Sequence, residues 1–169
     1  NRPIMDYGLD SLSKKGVNEI LLIPLYPQFA MATTETILVL AEEIKNKYYP
    51  HLKFSPFKSF YDDKNYIRVL SNSIKEFLNN KNWEHLLFSY HGIPKRHIKK
   101  SDITKSHCKM NDFCCDIKSK AHNFCYRHQC IKTTEAVAKF LKLKEGSYST
   151  SFQSRLGPDP WLQPYTDKT

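Results

Sequence analysis

The sequence predicts an α/β fold in which a parallel sheet is flanked by helices. Three observations predict it. Short apolar runs occur at 19–25, 52–57 and 86–90, bounded by proline, glycine and charged residues. Between them, apolar residues recur at helical spacing from Ile37 to Tyr48 and from Tyr66 to Leu78. Strand, helix, strand, helix, strand in that order implies parallel strands with the helices packed on the sheet.

Asn1 to Pro3 reads as irregular. Tyr7 to Lys15 fits a helix with Leu9 and Leu12 inward, ended by Gly16. Glu19 to Leu25 is continuously apolar from Ile20 to Ile23, as a strand covered on both faces would be. Pro24 has no amide hydrogen, so pairing should stop there. After the loop Tyr26-Pro27-Gln28-Phe29-Ala30, Thr33 or Thr34 is placed to cap a helix running to about Lys47. Leu52 to Phe57 is a second strand, weakened by Pro56. Ser59 to Asp63 is a loop before a helix whose core stripe is Tyr66, Leu70, Ile74, Phe77 and Leu78, ending near Asn79-Asn80. The run Leu86-Leu87-Phe88 begins a third strand, stopped by Gly92 and Pro94.

Lys95 to Gln129 shows no clean periodicity and is rich in Lys, Ser, His and Cys, which makes it a long loop. A helix from Thr133 to Leu143 and a fourth strand, Tyr148 to Gln153, follow it. Leu156 to Leu162 is a turn that anchors Trp161.

The net charge of +9 first suggests nucleic acid, but its location argues otherwise. Residues 95–142 hold 12 Lys/Arg against 4 Asp/Glu, while the rest of the chain holds 14 against 13. The excess therefore belongs to one segment, either as a solvated loop or as a patch for an acidic ligand or an anionic membrane face. The loops after the strands carry few basic residues, which disfavours a nucleic-acid partner. No run of eighteen apolar residues exists, so no transmembrane segment is expected, and no signal peptide is visible. The chain starts at Asn1 and stops in a polar stretch, as a piece of a longer protein would.

His91 is the candidate for chemistry. It stands where a strand gives way to a loop, and ligands of parallel sheets bind at that carboxyl edge. An imidazole there can take a proton or hold a metal near neutral pH. The plainer alternative is a strand-end histidine bonded to a main-chain carbonyl. The loops after the strands also supply Phe29, Tyr61, Tyr90 and Trp161. If all face one cleft, they describe an aromatic-walled pocket for a large flat ligand; otherwise each is ordinary core.

Three stretches carry a resemblance. Leu-Ile-Pro-Leu-Tyr-Pro-Gln-Phe-Ala (22–30), Ser-Tyr-His-Gly-Ile-Pro (89–94) and Ser-Phe-Gln-Ser-Arg-Leu-Gly-Pro-Asp-Pro-Trp-Leu-Gln-Pro-Tyr-Thr-Asp (151–167) resemble ferrochelatases, bacterial ones included, in the family's order. The resemblance implies a Rossmann-like, chelatase-like fold of two similar halves, of which this chain is an internal fragment. Residues 1–94 would be the later part of the first half, 95–130 a Cys/Lys-rich insert, and 131–169 the opening of the second half. It also implies insertion of ferrous iron into a porphyrin, protoporphyrin IX or coproporphyrin, by a lyase-type enzyme of haem biosynthesis in the cytoplasm. The family's histidine falls on His91, as catalytic residue and Fe2+ ligand. Its porphyrin contacts fall on Tyr26, Gln28, Phe29, Tyr61 and Trp161. The family's metal-site glutamate would lie past Thr169, and its glycine-rich loop before Asn1, so the piece alone is expected to be inactive.

The five cysteines follow the pattern Cys108-x5-Cys114-Cys115-x9-Cys125-x4-Cys130, a poor match to zinc ribbons. The resemblance implies a possible [2Fe–2S] cluster, since several bacterial members carry one near this part of the chain. Cys108, Cys115, Cys125 and Cys130 are the ligands it suggests. Zinc held with His107, His122 or His128, or unligated reduced thiols, are the alternatives. A metal- or cluster-binding module working through residues 95–130 is the alternative to an enzyme. It differs in predicting that loss of His91 is harmless.

Overall fold

A computed structural model describes residues 4–79, 81–111 and 113–169. The chain folds as two compact units, Asn1–Ser59 and Phe60–Thr169. The irregular start expected at Asn1–Pro3 lies outside the described residues, as does Asn80.

In the first unit, α1 (Ile4–Lys14) ends at Gly16, whose φ of 76° is the left-handed conformation that closes a helix without a β-carbon clash. β1 (Glu19–Leu22) pairs in parallel with β2 (Lys53–Pro56). Pro24 and Pro56 cannot donate to a ladder, so both strands stay four residues long. Leu9, Ile44, Tyr49 and Leu52 form the core, with Ile20 and Phe54 packed against them from the strands. β1 is not covered on both faces as expected: Leu21 points away from that core and is 59% exposed. Between the strands, the chain enters α2 (Thr36–Tyr48) through a π-helical turn at Met31–Glu35. The expected threonine cap does not form. Thr33 Oγ1 instead donates back to Ala30 O and Thr36 Oγ1 to Met31 O, because the wider turn places carbonyls rather than free N–H groups within reach.

In the second unit, α3 (Lys64–Leu78) is capped by Asp63, which accepts from the N–H groups of Asn65 and Tyr66. Of its expected stripe, Tyr66, Leu70, Ile74 and Leu78 are half-buried and only Phe77 departs. Ile67 and Ser71 are buried and Phe77 is exposed. β3 (Leu86–His91) pairs in parallel with β4 (Tyr148–Gln153) in a six-residue register from Leu86↔Tyr148 to His91↔Gln153. The four strands thus form two two-stranded sheets rather than the one sheet expected.

The segment 95–129 is more ordered than its lack of periodicity suggests. α4 (Lys95–Ser101) and a short 3-10 helix (Lys120–Phe124) bracket a looped stretch, and α5 (Tyr126–Leu141) starts well before Thr133. Its N-cap is Cys125, whose sulfur accepts from His128 N, a capping residue that sequence rules do not flag. The core of this unit joins Ile98, Cys108, Ala121, Cys125, Cys130, Phe152 and Leu162. It positions the ends of β3 and β4.

Candidate functional site

The site is built at the carboxyl end of β3. His91 closes the strand and is exposed, and Gly92 turns the chain. The His91 Nδ1 lies 2.7 Å from Gly92 O. A carbonyl only accepts, so Nδ1 carries the hydrogen and Nε2 keeps its lone pair. The plain reading of a histidine bonded to a main-chain carbonyl therefore holds, and it leaves the outer nitrogen ready for a proton or a metal. Nε2 makes no hydrogen bond among the described residues. Tyr126, on the first turn of α5, donates its hydroxyl to His91 O at 2.9 Å and fixes the strand end from below.

Gly92 is where two loops meet. Its N–H donates to Gln153 O at 2.7 Å, Leu162 N donates to Ile93 O, and Pro94 bridges to Trp161. A β-carbon at Gly92 would stand 2.8 Å from Gln153 O and 3.3 Å from Trp161 Cε3. Trp161 is half-buried, and its Nε1–H donates to Leu156 O at 2.8 Å, which fixes the indole. His91 and Trp161 are thereby carried by adjacent, mutually bonded loops.

Tyr61 belongs to the same unit but stands against α5. Its carbonyl accepts from Thr133 Oγ1 at 2.8 Å, and its ring meets that of His128 edge-on at 6.5 Å. Burial and the neighbouring Asp62 raise its phenol pKa, so the hydroxyl stays protonated. Tyr90 is core rather than pocket. Its hydroxyl pairs with Thr134 Oγ1 at 3.0 Å, and burial pushes its pKa well up. Tyr26, Gln28 and Phe29 follow β1 in the other unit, with Tyr26 exposed and Gln28 buried. They share no sheet with His91, so one sheet edge does not carry all four loops as expected. A cavity of about 330 Å³ opens among Lys95, Met110, Arg127, Leu162, Gln163 and Pro164, and none of the expected site residues lines it.

Sequence reasoning missed Tyr126, Thr133 and Thr134 as supports of the site. They sit before or at the start of the helix expected there, and only the early start of α5 brings their hydroxyls under the strands.

All five cysteines are buried and unbridged. Four of them share one nest. The Cys125 thiol is hydrogen-bonded with those of Cys108 and Cys115, and the contact with Cys108, foremost, pushes its pKa up to about 12. The Cys115 thiol is raised first by its bond with Cys125 and then by burial. Cys130 is raised well above the ordinary thiol range, mainly by burial, and senses Cys125 and Cys115. Cys114 lies at the edge of the nest, its thiol against Asn111 O, the Arg127 guanidinium and the Cys115 thiol. Without a cation Cys115, Cys125 and Cys130 hold neutral thiols, because a buried thiolate beside other thiols is costly. Among the described residues, no three His, Cys, Asp or Glu side chains are arranged to hold a metal ion.

The family model for ferrochelatase matches residues 1–169, the whole chain. The chain belongs to the ferrochelatase family. A ferrochelatase of Pseudomonas syringae pv. tomato is 38% identical over 165 residues, covering 98% of this chain and 48% of the relative. One of Stutzerimonas stutzeri is 40% identical over 166 residues, with the same coverages. One of Opitutus terrae is 40% identical over 170 residues, covering 96% of this chain and 49% of the relative. The chain therefore spans about half the length of the curated relatives it matches. No helix among its described residues is long and apolar enough to cross a membrane.

Proposed function

We propose that the whole protein inserts ferrous iron into a porphyrin, protoporphyrin IX or coproporphyrin, to give haem. It is a lyase-type chelatase acting in the cytoplasm. The observation that carries this reading is the His91 imidazole, pinned at Nδ1 by Gly92 O and open at Nε2 beside the Trp161 loop.

The reaction requires two pyrrole N–H protons to leave as the metal enters. A planar porphyrin aims its nitrogen lone pairs at its own centre, so the protein must bend it. Aromatic walls hold a bent ring, and the energy comes from binding remote parts of the substrate. Tyr61 and Trp161, in the unit that holds His91, supply such walls; Tyr26, Gln28 and Phe29 are the further porphyrin contacts that the family resemblance implies. His91 Nε2 takes a pyrrole proton or passes the iron inward. Iron accepts nitrogen and oxygen ligands, and the carboxylate partner is the family's glutamate, expected past Thr169. Residues 1–169 alone are therefore inactive. The partners are the porphyrin and ferrous iron, without nucleic acid, and any membrane contact is peripheral.

The test is His91→Ala in the full-length protein. Iron insertion should fall by at least about 100-fold, the usual weight of a general base. Porphyrin binding, followed by quenching of Trp161 fluorescence, should survive. Unchanged turnover would end the proposal.

A second reading, the [2Fe–2S] cluster, rests on one observation: the thiols of Cys108, Cys115 and Cys125 touch, with Cys130 beside them, in a buried nest. Four thiolates suit the cluster's two irons, which spread their ligands wider than a single ion does. These residues would hold it, and its irons would make their ionisation tolerable. Visible absorbance with stoichiometric iron and sulfide in anaerobically purified protein would support it, and colourless, iron-free protein would end it.

A further inference from the structure

We infer that His107, His122 and the main-chain oxygen of Cys114 form a divalent metal site of the zinc class, separate from the thiol nest and from His91.

Three donor atoms converge. His107 Nε2 and His122 Nε2 are 3.1 Å apart, and Cys114 O is 2.7 Å from the first and 3.2 Å from the second. A triangle with these sides has a centre about 1.7 Å from each corner, so an ion just above its plane sits at the 2.0–2.1 Å of zinc–imidazole bonds.

The ring positions agree. A point about 2 Å beyond both nitrogens, shared by rings whose Nε2 atoms are 3.1 Å apart, places the centroids about 4.8 Å apart. A straight N–H···N hydrogen bond of the same length would place them about 5.4 Å apart. The measured separation is 5.0 Å, with the rings inclined at 72°. The separation lies between the two arrangements, nearer the first. A hydrogen bond uses one proton between two nitrogens, while an ion uses both lone pairs and the carbonyl together.

The surroundings hold the ligands in place. His128 stacks on His122 at 3.6 Å and 12°, and its Nδ1–H donates to Cys115 O at 2.9 Å. The stack sets the plane of His122 against a neighbour that is itself bonded. The ligands come from three stretches with little regular structure: the turn after α4, the Cys114 segment and the 3-10 helix 120–124. An ion there ties these stretches together at a point next to Cys108 and Cys115. Only two of the donors are side chains of the metal-binding types, and water completes the coordination.

Titration of the full-length His91→Ala protein with Co2+ tests this, since His91 Nε2 is itself placed to bind a metal. We expect one equivalent bound with visible bands of nitrogen and oxygen ligation and no thiolate-to-cobalt charge transfer. Zn2+ should displace it and raise the melting temperature. His107→Ala and His122→Ala should each weaken binding at least tenfold, while His97→Ala leaves it unchanged. A crystal of the wild-type protein soaked in Zn2+ bypasses any folding defect. An anomalous peak within bonding distance of both Nε2 atoms is the expected result. No binding, a purely thiolate spectrum, unchanged affinity in both variants, or no zinc peak at these three atoms would each overturn the site.

Discussion

Gly92 lets Trp161 lie against the end of β3 because no side chain stands between them. A β-carbon there would meet Trp161 Cε3 at 3.3 Å and, worse, Gln153 O at 2.8 Å. The indole can shift slightly; a backbone carbonyl held in the β3–β4 ladder cannot.

Gly92→Ala should therefore destabilise the protein by about 1–3 kcal/mol, the range for overpacking. It should also move the Trp161 emission maximum. Denaturant unfolding and fluorescence check both, and wild-type values would show that β4 yields more easily than its pairing suggests.

Asp102 is the anchor of the turn after α4. Its carboxylate accepts from the N–H groups of Thr104, His107 and Cys108 at 2.8–2.9 Å and from Thr104 Oγ1 at 2.7 Å. Burial alone would raise its pKa; the bonds outweigh it and hold the group at about 2. The folded pKa lies below the unfolded value of roughly 4. Its stabilisation is thus complete above that value and is lost as pH falls through about 2. Asp102→Asn, which loses acceptor capacity in a buried place, should cost about 1–3 kcal/mol near neutral pH. It should also flatten the acid limb of the stability curve; an unchanged limb would remove Asp102 from that role.

The thiol nest should be unreactive when metal-free. Cys125 is raised to about 12, by its contact with Cys108 foremost, and alkylation needs the thiolate. Metal-free folded protein at pH 8 should react with iodoacetamide at least tenfold more slowly at Cys125 and Cys130 than unfolded protein. Peptide mass mapping reads this directly, and equal rates would mean that the nest opens readily.

Tyr126 holds His91 through its carbonyl at 2.9 Å, so it is a positioning residue. Tyr126→Phe in the full-length protein should lower kcat several-fold with little change in KM for the porphyrin, while His91→Ala removes turnover. A change confined to stability would reduce Tyr126 to a structural role.

Much of the fold was legible in the residues. β4 begins and ends where its β-rich run does, and Gly16, Asp63 and the two prolines stop or start elements by local chemistry. The segment around the cysteines was not, because its order comes from Asp102, from a cysteine acting as a helix cap and from contacts between histidines far apart in sequence.

The sequence by itself determined the class of fold, the family, and that one histidine would stand at a strand end. These depend on periodicity and on neighbours in the chain. Only the tertiary structure decided that the strands divide into two sheets, that Nδ1 of His91 is occupied and Nε2 open, and that His107 and His122 meet at Cys114 O. The first and last of these depend on atoms brought together across 15 or more residues, which no local pattern encodes; the second is a contact with the next residue, whose carbonyl is aimed by the turn at Gly92.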